Sequence, residues 1–350
     1  MKNLIKICVC CFVFSFTSFS KTDYLDTIKS DISKEFKISS NDIKLSKFRH
    51  NSNRQNTYSF KIKDKKYVLH IFPKKYNDSQ RENDIQKIKI LSEMGISPKV
   101  IFIDKEGRYY IREFLEGHLL ESKDLKNNDI IKNLAIILRK INSKNIEGEK
   151  KTQDHIDIAG KYYKNIETKN IALPSSFKAV YEQYLSHSKN LESKIGLSCM
   201  FLKPSSILVG KDNSIYIMDI ASGIEYSNIY EEIGYTTLLS GIIDDEKLKI
   251  FAMNYFGEEF NDKSIGIIKK FQKRAGMMIS LLYFSLSENK ADKKIPYEER
   301  VKKLDELLND KDLKSFDVYF NENQIINEKS RNKDEVKKYA LSFFKLCLQN

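Results

Sequence analysis

The chain has 350 residues, of which 41% are hydrophobic and 31% are charged. This is enough apolar sequence for a sizeable core, and the length suits one large domain or two lobes. With 13 glycines and 5 prolines, the composition excludes collagen-like and linker-type chains. The formal net charge is +12, but the lysines are spread along the chain without a basic block, so we expect no nucleic-acid partner.

The first twenty residues have the pattern of a secretory signal peptide. Lys2 and Lys6 precede an apolar run over residues 7–16, and Ser18 and Ser20 lie at the spacing that a signal peptidase recognises. The run is too short for a comfortable membrane span, and no later stretch is long and apolar enough to cross. We therefore expect an exported protein, periplasmic or secreted, with an uncleaved signal anchor as the alternative.

The next part of the chain is rich in predicted strands. Alternating apolar and polar residues indicate each strand, and apolar residues at intervals of three and four indicate a helix that ends at Gly95. A further helix over residues 22–39 is expected to lead into this region. The elements predicted after it are a strand near residues 42–48, strands Asn56–Lys63 and Tyr67–Phe72, the helix Arg81–Met94, and strands Lys99–Asp104 and Arg108–Phe114.

The remainder of the chain is predicted to be mostly helical. A turn at Asp212 and Asn213 separates two short β segments, and helices resume after Glu231. The predicted elements are helices Asp129–Ile141 and Phe177–Leu191, β segments Ser206–Val209 and Ser214–Asp219, and helices Ile267–Leu286 and Asp334–Leu348.

The stretch Arg81–Gly117 carries the most specific motifs. It begins with Arg-Glu at the start of a helix, continues with Gly-Ile-Ser-Pro at residues 95–98, and ends with Phe-Leu-Glu-Gly at residues 114–117. It resembles the choline kinase and aminoglycoside phosphotransferase superfamily, the small-molecule branch of the protein-kinase fold. In that family an Arg-Glu begins the first lobe's only helix, a Gly-x-x-Pro follows, and a Phe-x-x-Gly hinge joins the lobes.

The resemblance extends from about Ile43 to Gly234 and implies an α+β protein with a two-lobed, protein-kinase-like fold. A small β-rich N-lobe, with a five-stranded antiparallel sheet and one helix, would precede a larger helical C-lobe. The implied division is a signal peptide over residues 1–20, the N-lobe over 21–116 and the C-lobe over 117–350.

The nucleotide-binding positions that the resemblance implies are altered. The family strand usually reads Tyr-Val-Leu-Arg-Ile, and its cation meets the nucleotide phosphates, whereas this chain has His70 at that position. A neutral imidazole is a poor substitute for a fixed cation. Glu82 or Asp84 would be the helix carboxylate that orients the cation, and the sequence leaves both open.

The loop that cradles phosphate in the family is also changed. Ser52 and Asn53 match the end of its Gly-Gly-x-Ser/Thr-Asn pattern, but Arg49 and His50 replace the two glycines. Glycines there let backbone amides approach a phosphate closely, so we expect a weakened cradle.

The catalytic segment keeps its frame but loses key side chains. The family pattern His-x-Asp-Leu-x-x-x-Asn-Ile-Leu corresponds to Cys199–Leu208, and the hairpin that follows ends at Asp219. Phe201 stands at the catalytic carboxylate position, and Ser206 stands at the metal-binding Asn position. Only Asp219, the main magnesium ligand that the resemblance implies, is retained, and one carboxylate holds magnesium poorly.

These changes favour a pseudokinase, a kinase-like scaffold that binds a small-molecule or protein ligand and has no catalytic residue at the family position. The first alternative is an active, divergent phosphotransferase of the choline or ethanolamine kinase type, which would require ATP and magnesium. A second alternative is a secreted protein-interaction factor. We expect no certain cofactor, and Mg and ATP only if activity is retained.

Overall fold

The computed structural model describes residues 21–47, 56–73, 75–145, 155–188, 191–199, 202–218, 225–311, 313 and 332–348. The predicted signal peptide lies outside these residues, as do Ser52, Asn53, Phe201 and Asp219.

The first lobe contains a five-stranded antiparallel sheet with the strand order β1-β2-β3-β5-β4. This confirms the predicted strand count, although the first strand is only two residues long and follows a short 3-10 turn. The strands are β1 (Ser46–Lys47), β2 (Asn56–Ile62), β3 (Lys65–Ile71), β4 (Val100–Ile103) and β5 (Tyr109–Glu113).

A helix covers each face of this sheet, because alternate residues of a strand point to opposite faces. Helix α1 (Lys21–Phe36) buries Ile28 and Ile32 against a face that includes Leu69. Helix α2 (Asp78–Glu93) packs two isoleucines against the other face, which carries Phe72 and Tyr110. Helix α1 corresponds to the predicted leading helix, and α2 corresponds to the lobe's predicted single helix.

The second lobe is mainly helical, which confirms the two-lobed α+β class. Its strands form a three-stranded sheet, β6-β8-β9, and a separate β7-β10 pair. The strands are β6 (Gly117–Leu119), β7 (Ile195–Ser198), β8 (Ile207–Gly210), β9 (Ile215–Ile217) and β10 (Glu225–Asn228). The helices are α3 (Asn128–Asn142), α4 (His155–Thr168), α5 (Phe177–Ser188), α6 (Ile229–Leu239), α7 (Asp245–Phe256), α8 (Lys263–Phe284), α9 (Tyr297–Asn309) and α10 (Lys333–Leu348). No helix in these described stretches is both long and apolar enough to cross a membrane.

The lobes are joined by backbone contacts as well as by the connecting chain. Leu91 and Ile96, at and beyond the end of α2, belong to the same apolar cluster as Ile217 of β9. The backbone N–H of Ile217 donates to the carbonyl of Ile96 at 2.9 Å. Gly117 is the last residue of the hinge, and a Cβ there would lie 2.2 Å from the carbonyl oxygen of Val209. The hinge therefore requires glycine for the close approach of β6 to β8.

Candidate functional site

The candidate site is the cleft between the first sheet and the β8–β9 hairpin. Arg112 of β5 joins its two walls, because its Nη1 donates to the carbonyl oxygen of Met218 at 2.9 Å. Met218 directly follows β9 and directly precedes Asp219 in the chain. The sheet that contains the predicted strand 67–72 and the described part of the predicted segment 216–219, up to Met218, therefore meet at the same cleft.

His70 faces this cleft from β3 but is not a cation. Its side chain is 6% exposed, and its ring stacks on Tyr110 with the ring centres 4.7 Å apart. Its Nδ1 lies 3.3 Å from the hydroxyl oxygen of Thr57 on the neighbouring strand. Burial, and then the nearby Arg112 guanidinium, hold the pKa of His70 well below its usual value, so the imidazole is neutral at physiological pH.

The two candidate helix carboxylates lie on different sides of α2. Asp84 is half-buried and shares a face with Lys87, Ile88 and Leu91, which follow it by three, four and seven residues and are all buried. Glu82 is exposed. Helical geometry rotates the two acids by roughly 200° from one another, since each residue turns the helix by about 100°. Asp84 is thus the acid on the buried side of the helix.

Ser206 ends the short 3-10 turn Pro204–Ser206 that precedes β8. The residue is buried, and its carbonyl accepts a hydrogen bond at 2.8 Å from the backbone N–H of Met218. The backbone of Ser206 is therefore paired with that of Met218, the residue that precedes Asp219 in the chain. Two sequence-predicted site residues, Phe201 and Asp219, lie outside the described residues, as does the Ser52 and Asn53 loop.

A buried carboxylate anchors the strand that leads into the catalytic segment. Oε1 of Glu232, on α6, accepts from the backbone N–H of Cys199 at 2.7 Å, and Oε2 accepts from Nδ2 of Asn142 at 2.6 Å. The Tyr255 hydroxyl donates to Oδ1 of the same Asn142 at 2.7 Å. Burial raises the pKa of Glu232 to about 7 even though these hydrogen bonds oppose the change.

Burial, and then the neighbouring Glu232, also raise the pKa of the Cys199 thiol well above its usual value. Cys199 therefore stays protonated at neutral pH and acts as a small apolar residue rather than a nucleophile.

Sequence reasoning missed Arg112 and Glu232. The signal for Arg112 was available, because it interrupts an apolar strand at a position two residues from Tyr110 and therefore on the same face. Glu232 had no comparable signal, since two consecutive glutamates at the start of a helix are ordinary surface residues in most helices.

The described residues do not fit a magnesium–nucleotide site of the family type. Among them, no group of three His, Cys, Asp or Glu side chains could hold a metal ion. The family's cation position is the neutral, buried His70, and its Asn position carries only the Ser206 hydroxyl. Asp219, the retained ligand position of the family pattern, lies outside the described residues.

Comparison with known proteins agrees with the two-lobed fold. The model of the choline/ethanolamine kinase family matches residues 39–236. No curated protein sequence matches the chain.

Solved structures share the fold. Choline kinase LicA from Streptococcus pneumoniae is 18% identical, with a TM-score of 0.54 over 80% of this chain and 96% of that one. A choline/ethanolamine kinase family protein from Mesorhizobium loti is 11% identical, with a TM-score of 0.60 over 91% and 99% of the two chains. ADP-bound aminoglycoside phosphotransferase APH(2'')-Ib is 11% identical, with a TM-score of 0.53 over 79% and 96%.

The family match spans more than half of the sequence, and these structures have the same two-lobed architecture. The chain belongs to the choline/ethanolamine kinase family.

Proposed function

We propose that this protein is an exported pseudokinase, a choline kinase-like scaffold that binds a ligand in its cleft and does not transfer phosphate. The observation that carries the proposal is His70. Burial and Arg112 keep it neutral at the position where the family resemblance requires a phosphate-binding cation.

The composition of the catalytic segment supports the same proposal. Phosphoryl transfer depends on positioned cations and on a carboxylate that accepts the proton of the substrate hydroxyl. Phe201 has no oxygen to accept that proton, and Ser206 replaces the amide that would bind metal. Two of the three positions in this segment that would carry chemistry are therefore changed, in a frame whose backbone pairing is retained at Ser206 and Met218.

Export is the second part of the proposal and rests on residues 1–20. The basic start, the apolar run and the small residues at positions 18 and 20 have the order of a secretory signal. An exported chain leaves the cytoplasmic ATP pool, which agrees with the loss of residues that handle ATP.

The test is a steady-state assay of ADP release with magnesium, ATP and a panel of choline, ethanolamine and an aminoglycoside. Loss of a general base alone costs about 10²–10⁴-fold, so the assay must detect rates at least that far below an active choline kinase run in parallel. We expect ADP release at the rate of the protein-free reaction.

The variant Asp219→Ala distinguishes phosphate transfer by this protein from a contaminating activity. Acceptor-dependent ADP release that Asp219→Ala abolishes, while Asp212→Ala in the exposed turn of the same hairpin keeps it, would establish the active phosphotransferase instead. Release that survives both substitutions is a contaminating activity, and it leaves the pseudokinase assignment in place.

A further inference from the structure

The second lobe contains a cavity of about 280 Å³ where the ends of α3 and α7 meet the start of α6. Its lining includes Asn142 and Tyr255, which are buried and hydrogen-bonded to one another. Asn142 also bonds to Glu232, so this wall belongs to the network that anchors the strand leading into the catalytic segment. A fully bonded polar network is rigid, and the cavity is therefore formed without a ligand, as small-molecule sites usually are.

Apolar and aromatic side chains form much of the remaining wall. Ile229 and Phe256 are buried, and Tyr230 is half-buried. The ring centres of Tyr230 and Phe256 lie 6.3 Å apart. Because contact with these surfaces removes apolar area from water, they favour a ligand with an apolar or aromatic side chain.

Arg139 brings a positive charge to the same cavity. Its guanidinium lies over Gly257, where φ is 58° and a Cβ would come within 2.9 Å of Cζ of Arg139, so the close approach requires a residue without a side chain. Arg139 is exposed, and within the described residues it forms no ion pair or side-chain hydrogen bond. Its paired N–H donors are therefore available to a carboxylate.

The negative charges of the cavity come from the 3-10 turn Gly257–Glu259, which follows α7. Glu259 is paired with Lys194, whose Nζ lies 2.9 Å from Oε2. Glu258 is exposed and has no cation partner in the described part of the chain. The lining thus carries one unpaired charge of each sign, on Arg139 and on Glu258.

We infer that this cavity binds a free α-amino acid with an apolar or aromatic side chain, its carboxylate at Arg139 and its ammonium at Glu258. A zwitterion complements both unpaired charges, whereas a simple anion would be repelled by Glu258 and a simple cation by Arg139. The volume lies just below the range of about 300–1,000 Å³ for drug-sized ligands, which limits the occupant to a small molecule. This site does not rest on the proposed function of the cleft.

The test compares three probes that share a phenyl ring and differ in charge. L-phenylalanine carries both charges, 3-phenylpropionate carries only the carboxylate, and 2-phenylethylamine carries only the ammonium. Binding of each probe to the full chain is measured by NMR titration up to about 10 mM, because small ligands bind weakly. We expect L-phenylalanine to bind about threefold more tightly than 3-phenylpropionate and about tenfold more tightly than 2-phenylethylamine, since the guanidinium makes the stronger contact.

Substitutions at the two unpaired charges assign each end of the ligand. Arg139→Met should weaken binding of L-phenylalanine about tenfold and should not weaken binding of 2-phenylethylamine, which has no carboxylate. Glu258→Gln should weaken binding of L-phenylalanine about threefold and should not weaken binding of 3-phenylpropionate. Lys132→Met, at an exposed lysine two turns earlier on α3 and outside the lining, is the matched control and should bind all three probes like wild type.

Absence of binding, equal affinities for the three probes, or wild-type affinity for L-phenylalanine in Arg139→Met would each overturn the inference. Tighter binding of 3-phenylpropionate than of L-phenylalanine would also overturn it, because the site would then select an anion. None of these results bears on phosphate transfer, which the assay of ADP release tests separately, so failure of this inference is distinguishable from failure of the proposed function.

Discussion

His70 and Arg112 are two buried residues on one face of the first sheet. Because Arg112 is positively charged, a second positive charge at His70 is unfavourable. The stack of His70 on Tyr110 tolerates a neutral imidazole beside Arg112, since only one of the two groups is charged. A family-like arginine at position 70 would place a second guanidinium in the same buried space, where like charges are poorly screened.

We therefore predict that His70→Arg lowers the free energy of unfolding by about 2–4 kcal/mol, measured by urea denaturation. The double variant His70→Arg with Arg112→Met should recover a large part of that loss, because it leaves one cation in the cleft. His187→Arg, at an exposed histidine on α5, is the control and should change stability by less than about 0.5 kcal/mol. If the double variant loses the sum of the stability losses of the two single variants, the predicted repulsion between the two cations is contradicted.

Glu232 makes the stability of the second lobe depend on pH. Its pKa is about 7 in the folded protein and near 4.5 when exposed, so the folded state favours the protonated form. A raised pKa contributes stability that is complete below about pH 4.5 and is lost as the pH rises through about 7. The loss across this window is on the order of 3 kcal/mol.

Glu232→Gln keeps the shape of the side chain and removes the titration. We predict that its unfolding free energy changes less between pH 5 and pH 8 than that of wild type, measured by denaturant titration at each pH. Glu258→Gln, at an exposed carboxylate, should follow the wild-type pH dependence. If the unfolding free energy of Glu232→Gln changes with pH as much as that of wild type, a group other than Glu232 is responsible for the pH dependence.

At the scale of elements, the crossing of α6 and α8 depends on the absence of a side chain at Gly234. A Cβ there would lie 2.4 Å from the carbonyl carbon of Phe271 and 2.6 Å from its oxygen, so the helix backbones would have to separate. We predict that Gly234→Ala costs about 1–3 kcal/mol of stability.

Gly266 provides the matched control within α8, because nothing lies within 4 Å of a Cβ built there. Gly266→Ala should be neutral or stabilise the protein by up to about 1 kcal/mol, since alanine has the higher helix propensity. Equal melting temperatures for the two variants would contradict the close crossing of α6 and α8.

Local patterns predicted the strands and helices whose periodicity is strong, and missed elements that other elements stabilise. Helix α4 contains Gly160, three isoleucines and two tyrosines, which have modest to low helix propensity, and it is stabilised by packing in the core of the second lobe. Strands β7 and β10 are four residues each and pair across some thirty residues of chain, a contact that a local window does not contain.

For the molecule as a whole, the two lobes could be predicted from ordered motifs, while the contacts that join the lobes could not. The bond from Arg112 to Met218 spans 106 residues, so no local pattern signals it. The choice between Glu82 and Asp84 likewise needed the rotation of α2 against the sheet, which residue spacing alone left open.

The central claim is that this choline kinase-family cleft does not transfer phosphate. The most direct measurement is a single-turnover reaction with the protein in excess over labelled ATP, in magnesium, with choline or ethanolamine as acceptor. Under these conditions even a very slow transfer accumulates product, and binding does not limit the signal. The account predicts no phosphorylated acceptor above the protein-free reaction. Phosphorylated choline or ethanolamine that forms with wild type and disappears with Asp219→Ala would contradict it.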